Sequence, residues 1–260
     1  MPAISDQSRE PGARAGLSAI TRAVSPAIGN CELSWLERQP IDFLRAAEQH
    51  DEYERRLAAH GYRVIRVPDA PDMPDGVFVE DAAVVLHDVA IITRPGAVSR
   101  RGEVESVAAA LRQYRPLRFI EAPATLDGGD VLVIDETLYV GISQRTSVDA
   151  VQQLAAIPID FQNCLHLKSA VTRIAERILL LNPEWVDPRQ FAGFEIITVD
   201  PQEPFAANAL LLEDTLLYSG SYPRTRRRLE GRGFHTETLD LFELEKAEAG
   251  VTCCSLLFSA

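Results

Sequence analysis

Close to the C-terminus, Thr252-Cys253-Cys254-Ser255 places two thiols side by side ahead of the strand-like Leu256-Leu257-Phe258. A cysteine thiolate is a strong nucleophile, and adjacent residues of a strand point to opposite faces, so one of the two can face a given cleft. Cys253 shares a face with Ser255 and follows the bend at Gly250, which makes it the candidate nucleophile. Two buried small apolar residues would give the same pattern. A cysteine nucleophile needs a proton shuttle. Of the five histidines, His50 and His60 fall in or at the end of a helix, His87 in a turn and His235 in a polar segment. His166 stands apart in Cys164-Leu165-His166-Leu167-Lys168-Ser169, whose alternation reads as a strand with Cys164, His166 and Lys168 on one face; a satisfied core histidine fits that pattern too.

Carboxylates interrupt apolar runs at two places. Glu80-Asp81 lies between Val77-Phe78-Val79 and Ala82-Ala83-Val84-Val85, with Asp75 just before it. Asp127-Gly128-Gly129-Asp130 directly precedes Val131-Leu132-Val133, where it serves equally as a turn. Burying a carboxylate is unfavourable unless it is paired, so acids in strands suit a cationic ligand. A guanidinium fits best, because its planar donor fork engages carboxylates bidentately at about 1.5–3 kcal/mol per charge-assisted bond. Arg100 and Arg145, in polar loops, suit the carboxylate at the other end of an amino acid, or plain surface charge. No Cys-x-x-Cys, His-x-x-x-His or aspartate-loop spacing is present, so no metal site is expected.

These residues sit in a recurring pattern of apolar run, short polar turn and second apolar run. It reads as a β-hairpin at 82–92, 131–140, 170–181 and 209–218. Helix-forming segments follow at 103–114 and 148–157, and further strands at 117–121 and 161–167. Apolar positions from Asp42 to His60 recur at helical spacing with Gly61 as terminator, and 62–67 follows as a strand. Repeats a few tens of residues apart favour a ring of βα units over an ordinary mixed α/β sheet. Residues 1–18 mix Ser, Gly, Pro, Gln and charge and read as a mobile leader, leaving 19–260 as one catalytic domain.

The 260 residues carry 26 Lys and Arg against 38 Asp and Glu, a net charge of −12, which disfavours nucleic acid and anionic membrane surfaces as partners. No apolar run approaches the roughly 18 residues of a spanning helix. Asp6, Glu10, Pro11 and Arg14 occupy the place of a secretory signal's apolar stretch, so a cytoplasmic location with four reduced cysteines is expected.

Taken together, seven blocks in order resemble the dimethylarginine dimethylaminohydrolases of the guanidino-group-modifying superfamily, whose fold is the five-bladed α/β propeller, or pentein. They are 74–81 (PDGVFVED), 92–101 (ITRPGAVSRR), 125–132 (TLDGGDVL), 141–146 (GISQRT), 165–169 (LHLKS), 206–208 (AAN) and 252–255 (TCCS). The resemblance implies Cys253 as nucleophile, His166 as general acid and base, and Asp127, where some members carry Glu, as the carboxylate orienting the imidazole. It further implies that Asp81, with Glu80 nearby, grips the guanidinium. Asp75, assisted by the Val24 segment and Glu248, would face the substrate's α-amino group, and Arg100 with Arg145 would hold its α-carboxylate. The implied reaction is hydrolysis of dimethyl- or monomethylarginine to citrulline without metal or organic cofactor, by a monomer or homodimer. Arginine deiminase or amidinotransferase chemistry on the same fold is the alternative, and a noncatalytic guanidine-binding protein the second.

Overall fold

The structure, a computed structural model, describes residues 16–260. The expected leader at 1–15 lies outside the described residues, while Leu17 and Ser18, also assigned to it, belong to the first strand, β1 (Leu17–Thr21). From β1 the chain passes to helix α1 (Phe43–Ala59) and strand β2 (Arg63–Arg66). Asp42 caps α1 by accepting the Arg45 N–H at 3.1 Å, and Gly61 leaves it at φ +85°, a conformation that favours glycine. Helix α1 turns Ala46, Tyr53 and Leu57 inward; burying a side chain like Leu57 stabilises the fold by about 1.5–3 kcal/mol.

The repeat expected from the sequence is then met four times. The second unit is β3 (Ala83–Val85), β4 (Ala90–Ile92), α2 (Val104–Leu111) and β5 (Leu117–Phe119). The third is β6 (Val131–Ile134), β7 (Thr137–Ile142), α3 (Val148–Leu154) and β8 (Ile157–Asp160). The fourth opens with one-turn helix α4 (Leu167–Ala170), followed by β9 (Val171–Ala175), β10 (Ile178–Leu181) and β11 (Glu195–Thr198), with a 3-10 turn at Pro188–Phe191 as its crossover. The fifth is β12 (Ala209–Leu212), β13 (Thr215–Ser219), α5 (Pro223–Glu230) and β14 (His235–Leu239). Helix α6 (Phe242–Glu245) leads to β15 (Leu256–Ser259).

Strand β15 pairs antiparallel with β1, and β1 pairs parallel with β2, so the two ends of the described chain together complete the first unit. Every unit repeats this order: a middle strand antiparallel to an inner strand and parallel to an outer one. Two-residue loops at Asp135-Glu136 and Glu213-Asp214 close two hairpins, with Asp135 at φ +55° and Glu213 at φ +57°.

The core shows how the sheets are arranged. Apolar clusters form between neighbouring units: Ile20 with Ile92 and Leu111, Ile91 with Val140, Leu132 with Leu179, Leu180 with Leu216, and Leu217 with Ala19 and Leu57. Each unit shares one cluster with the next, and the fifth shares one with the first, so the sheets close into a five-bladed ring. The inner strands β3, β6, β9, β12 and the start of β15 line an axial cavity of about 290 Å³. No helix among the described residues is long and apolar enough to cross a membrane.

Three local expectations are corrected. Residues 161–167 do not form a strand: the extended segment is Ile157–Asp160, and Asn163 at φ +64° breaks any continuation. The Leu167 N–H is taken at 2.9 Å by Asp130 Oδ1, which turns the chain into α4 with His166 at its N-cap. Glu80 and Asp81 sit in a 3-10 turn at Val79–Ala82, and Cys253 and Cys254 in a turn ahead of β15, rather than within strands.

Candidate active site

The residues singled out above are brought together by one structural regularity: they stand just ahead of the inner strands. Asp81 precedes β3, Asp127 precedes β6, His166 precedes β9 and Cys253 precedes β15. Hydrogen bonding along each inner strand fixes its blade, and closure of the ring turns the strand ends toward a common axis. A cavity of about 10 Å³, the space of a single water, lies among Asp75, Asp81, Arg100, Arg145, His166 and Cys253, with Glu248 at its edge.

The imidazole is held from both sides. His166 Nε2 lies 3.0 Å from Asp127 Oδ2, and Nδ1 lies 3.8 Å from Asp81 Oδ1. Asp127 Oδ1 accepts the Gly96 N–H at 2.9 Å, and Asp81 accepts the Gly129 N–H at 2.9 Å and Arg100 Nη1 at 2.6 Å. The two glycines after Asp127 allow this approach: a Cβ at Gly128 would fall 2.0 Å from the Glu80 carbonyl oxygen, and one at Gly129 would fall 2.6 Å from His166 Nδ1.

Burial alone would lower the His166 pKa, but the Asp81 charge and the Asp127 hydrogen bond raise it to about 9. At neutral pH the ring is an imidazolium. Burial also favours protonated Asp81, yet His166 and Arg100 together hold it well below the usual carboxylate range. For Cys253, burial pushes the thiol above its ordinary range, and the Glu80 and Asp81 charges push it further. The Gly250 N–H donates to Sγ at 3.3 Å and opposes this shift. The resting site therefore pairs a neutral thiol with a charged imidazole.

Arg100 is buried, and its guanidinium is already engaged by Glu103 at 2.8 Å, by Asp81 and by the carbonyls of Asp75 and Phe78. Nη1 alone makes a single contact, which leaves little of Arg100 for a ligand. Arg145 reaches Ser34 Oγ at 3.5 Å and forms no ion pair among the described residues. Asp75 accepts the Glu32 N–H at 3.1 Å, and Glu248 accepts the N–H groups of Ser34, Trp35 and Leu36, the last two at 2.6 Å. These two carboxylates pin the 32–36 segment beside the cavity. Glu80 lines the axial cavity, where it accepts Lys168 Nζ at 2.6 Å and Thr252 Oγ1 at 2.8 Å. Val24 does not line the catalytic cavity and is packed in the core with Val77 and Phe78.

Ligand atoms of Asp81, Asp127 and His166 lie within 4.8 Å of one another, close enough to meet at a metal ion. All four carboxylate oxygens already contact a donor, an arrangement that also suits two acids orienting one imidazole.

A half-buried cysteine and a buried histidine with acids, delivered from the inner-strand ends of a five-bladed α/β ring, define a pentein of the guanidino-group-modifying class. A family model described as "N,N dimethylarginine dimethylhydrolase, eukaryotic" matches residues 32–176. The chain is 39% identical to N(G),N(G)-dimethylarginine dimethylaminohydrolase of Streptomyces coelicolor over 249 residues, covering 92% of this chain and 95% of the relative. The structure of the Pseudomonas aeruginosa enzyme, a cysteine-to-serine mutant complexed with citrulline, superposes with a TM-score of 0.88 at 30% identity, covering 94% of this chain and all of that one. A histidine-to-glycine adduct of a dimethylarginine dimethylaminohydrolase with S-methyl-L-thiocitrulline also gives 0.88, at 31% identity, covering 93% of this chain and 99% of that one. The chain belongs to the dimethylarginine dimethylaminohydrolase family, hydrolases of the guanidino C–N bond.

Asp130, one of the acids that interrupt the apolar runs of the sequence, holds the Leu167 N–H rather than a cation. Nothing in the local pattern singles out Lys168, whereas the hydroxyl of Thr252 in the segment before an inner strand is a signal for that residue.

Proposed function

We propose that this chain hydrolyses Nω,Nω-dimethylarginine, and the monomethyl compound, to citrulline and dimethylamine or methylamine through a covalent intermediate on Cys253. The observation that carries this reading is the convergence of Cys253, His166 and Asp81 on one cavity, with Asp127 at 3.0 Å from the imidazole. The citrulline complex of the Pseudomonas aeruginosa relative and the thiocitrulline adduct support the substrate class.

A neutral thiol held above its ordinary pKa needs a positive charge beside it to ionise. The substrate's guanidinium supplies that charge, held by Asp81 with Glu80 nearby, so its arrival lowers the thiol pKa and the proton on sulfur leaves to solvent water, His166 being already protonated. Arg145, which forms no ion pair among the described residues, is the α-carboxylate ligand, and Asp75 faces the α-amino group. The thiolate attacks the guanidinium carbon to form a C–S bond and a tetrahedral adduct. His166 donates its proton to the alkylated nitrogen as the C–N bond breaks, which releases the amine and leaves an S-alkylthiouronium on Cys253. Neutral His166 then takes a proton from water, the hydroxide adds to the same carbon, and loss of the thiolate yields citrulline. Asp127 keeps the imidazole oriented throughout. The space of one water is too small for dimethylarginine, so the 32–36 segment must open to admit it.

Citrulline release should be measured for wild type and Cys253→Ser with dimethylarginine, monomethylarginine and arginine in parallel. The expected result is product from both methylated substrates and none from the serine variant. Release from arginine alone would instead assign a deiminase.

A further inference from the structure

Four of the five units supply a reacting or binding side chain from the segment ahead of the inner strand. In the fifth unit that place belongs to Asn208, immediately before β12. We propose that Asn208 is a positioning residue that fixes the turn carrying Cys253 relative to the turn carrying His166. The proposal rests on the reading of these two residues as nucleophile and acid–base catalyst.

Asn208 is buried, and its amide is used at both ends. Oδ1 accepts the Thr252 N–H at 3.1 Å, while Nδ2 donates at 3.0 Å to Thr252 Oγ1 and at 3.0 Å to the Lys168 carbonyl. Thr252 is the residue before the nucleophile. Lys168 lies in α4, whose N-cap is His166. One planar amide therefore spans the two turns. The bridge is closed on its other side by Glu80, which accepts Thr252 Oγ1 and Lys168 Nζ and whose own N–H donates at 3.1 Å to the Cys253 carbonyl.

Asn208 also packs directly beneath the bend: a Cβ at Gly250 would fall 2.4 Å from Asn208 Cγ. The Gly250 N–H donates to Cys253 Sγ, so the Asn208 amide sets the place of a hydrogen bond that stabilises a thiolate there. Displacing a reacting atom by 1 Å can cost about 100-fold in rate, and a hub shared by nucleophile and acid has that leverage without touching substrate.

Asn208→Asp keeps the acceptor for the Thr252 N–H and loses both donations, while Thr252→Val removes the hydroxyl at nearly constant volume. Kinetics on dimethylarginine, thermal unfolding, and the pH profile of Cys253 alkylation by iodoacetamide are measured for these variants, wild type and Thr252→Ser. The expected result is folded variants with kcat down about 10- to 100-fold, KM within about threefold, and a displaced alkylation profile, with Thr252→Ser restoring most of what Thr252→Val loses. The proposal is overturned if folded variants keep kcat within about twofold, or lose only KM, or alkylate as wild type does. Should Asn208→Asp fail to fold, the Thr252 pair decides. If wild type releases no citrulline, the functional reading fails, and the alkylation profiles still report whether Asn208 positions the thiol.

Discussion

The His166 imidazole and the Asp127 carboxylate, both buried, face each other at 3.0 Å, although they arise from different blades of the ring. Their contact joins the third and fourth units at the axis and, with Asp81, keeps the ring charged to about pH 9.

Asp127→Asn should therefore lower the His166 pKa and weaken general acid catalysis. The basic limb of the kcat profile should move to lower pH, with activity reduced about 100-fold. A pH–rate profile with unchanged limbs would show that Asp127 does not act through the imidazole.

The same shift makes stability depend on pH. His166 has a folded pKa raised above the unfolded value of about 6.5, so its contribution is fully present below that pH and is lost as pH rises through about 9. Thermal unfolding of wild type should lose this increment between those limits, and His166→Ala should show a flatter pH dependence over the same window.

In the absence of substrate, the Cys253 thiol should remain protonated past the ordinary cysteine pKa of about 8.5. The ultraviolet thiolate absorbance of wild type minus Cys253→Ser reports this directly. A thiolate step below pH 8 would mean that the resting enzyme carries an ion pair.

Glu248→Gln should loosen the 32–36 segment, because charge-assisted bonds worth about 1.5–3 kcal/mol each become neutral ones. Amide exchange at Ser34, Trp35 and Leu36 should accelerate at least about tenfold and KM should rise, with little change in global stability. Unchanged exchange would separate Glu248 from loop closure.

Much of this architecture can be read from local patterns. The hairpins at 131–140 and 209–218 announce themselves through apolar runs around two-residue acidic turns, and α1 through its spacing and terminal glycine. The setting of His166 cannot be read that way. Its alternating neighbours mimic a strand, whereas the Asp130 carboxylate, from another blade, captures the Leu167 N–H and starts a helix. Closure of the ring through β15 and β1 is likewise a pairing between distant segments that no local period encodes. Arg100 appears in the sequence as a loop cation free to bind a ligand, and only the folded chain brings Asp81 and Glu103 onto its guanidinium.

The decisive observation is the mass of the Cys253 peptide after rapid acid quenching during turnover of dimethylarginine. An added ureido-precursor group on that peptide, appearing and decaying within one turnover and absent from Cys253→Ser, is the predicted result. An unmodified Cys253 throughout productive turnover, or a label on a different side chain, would contradict covalent catalysis by this thiol.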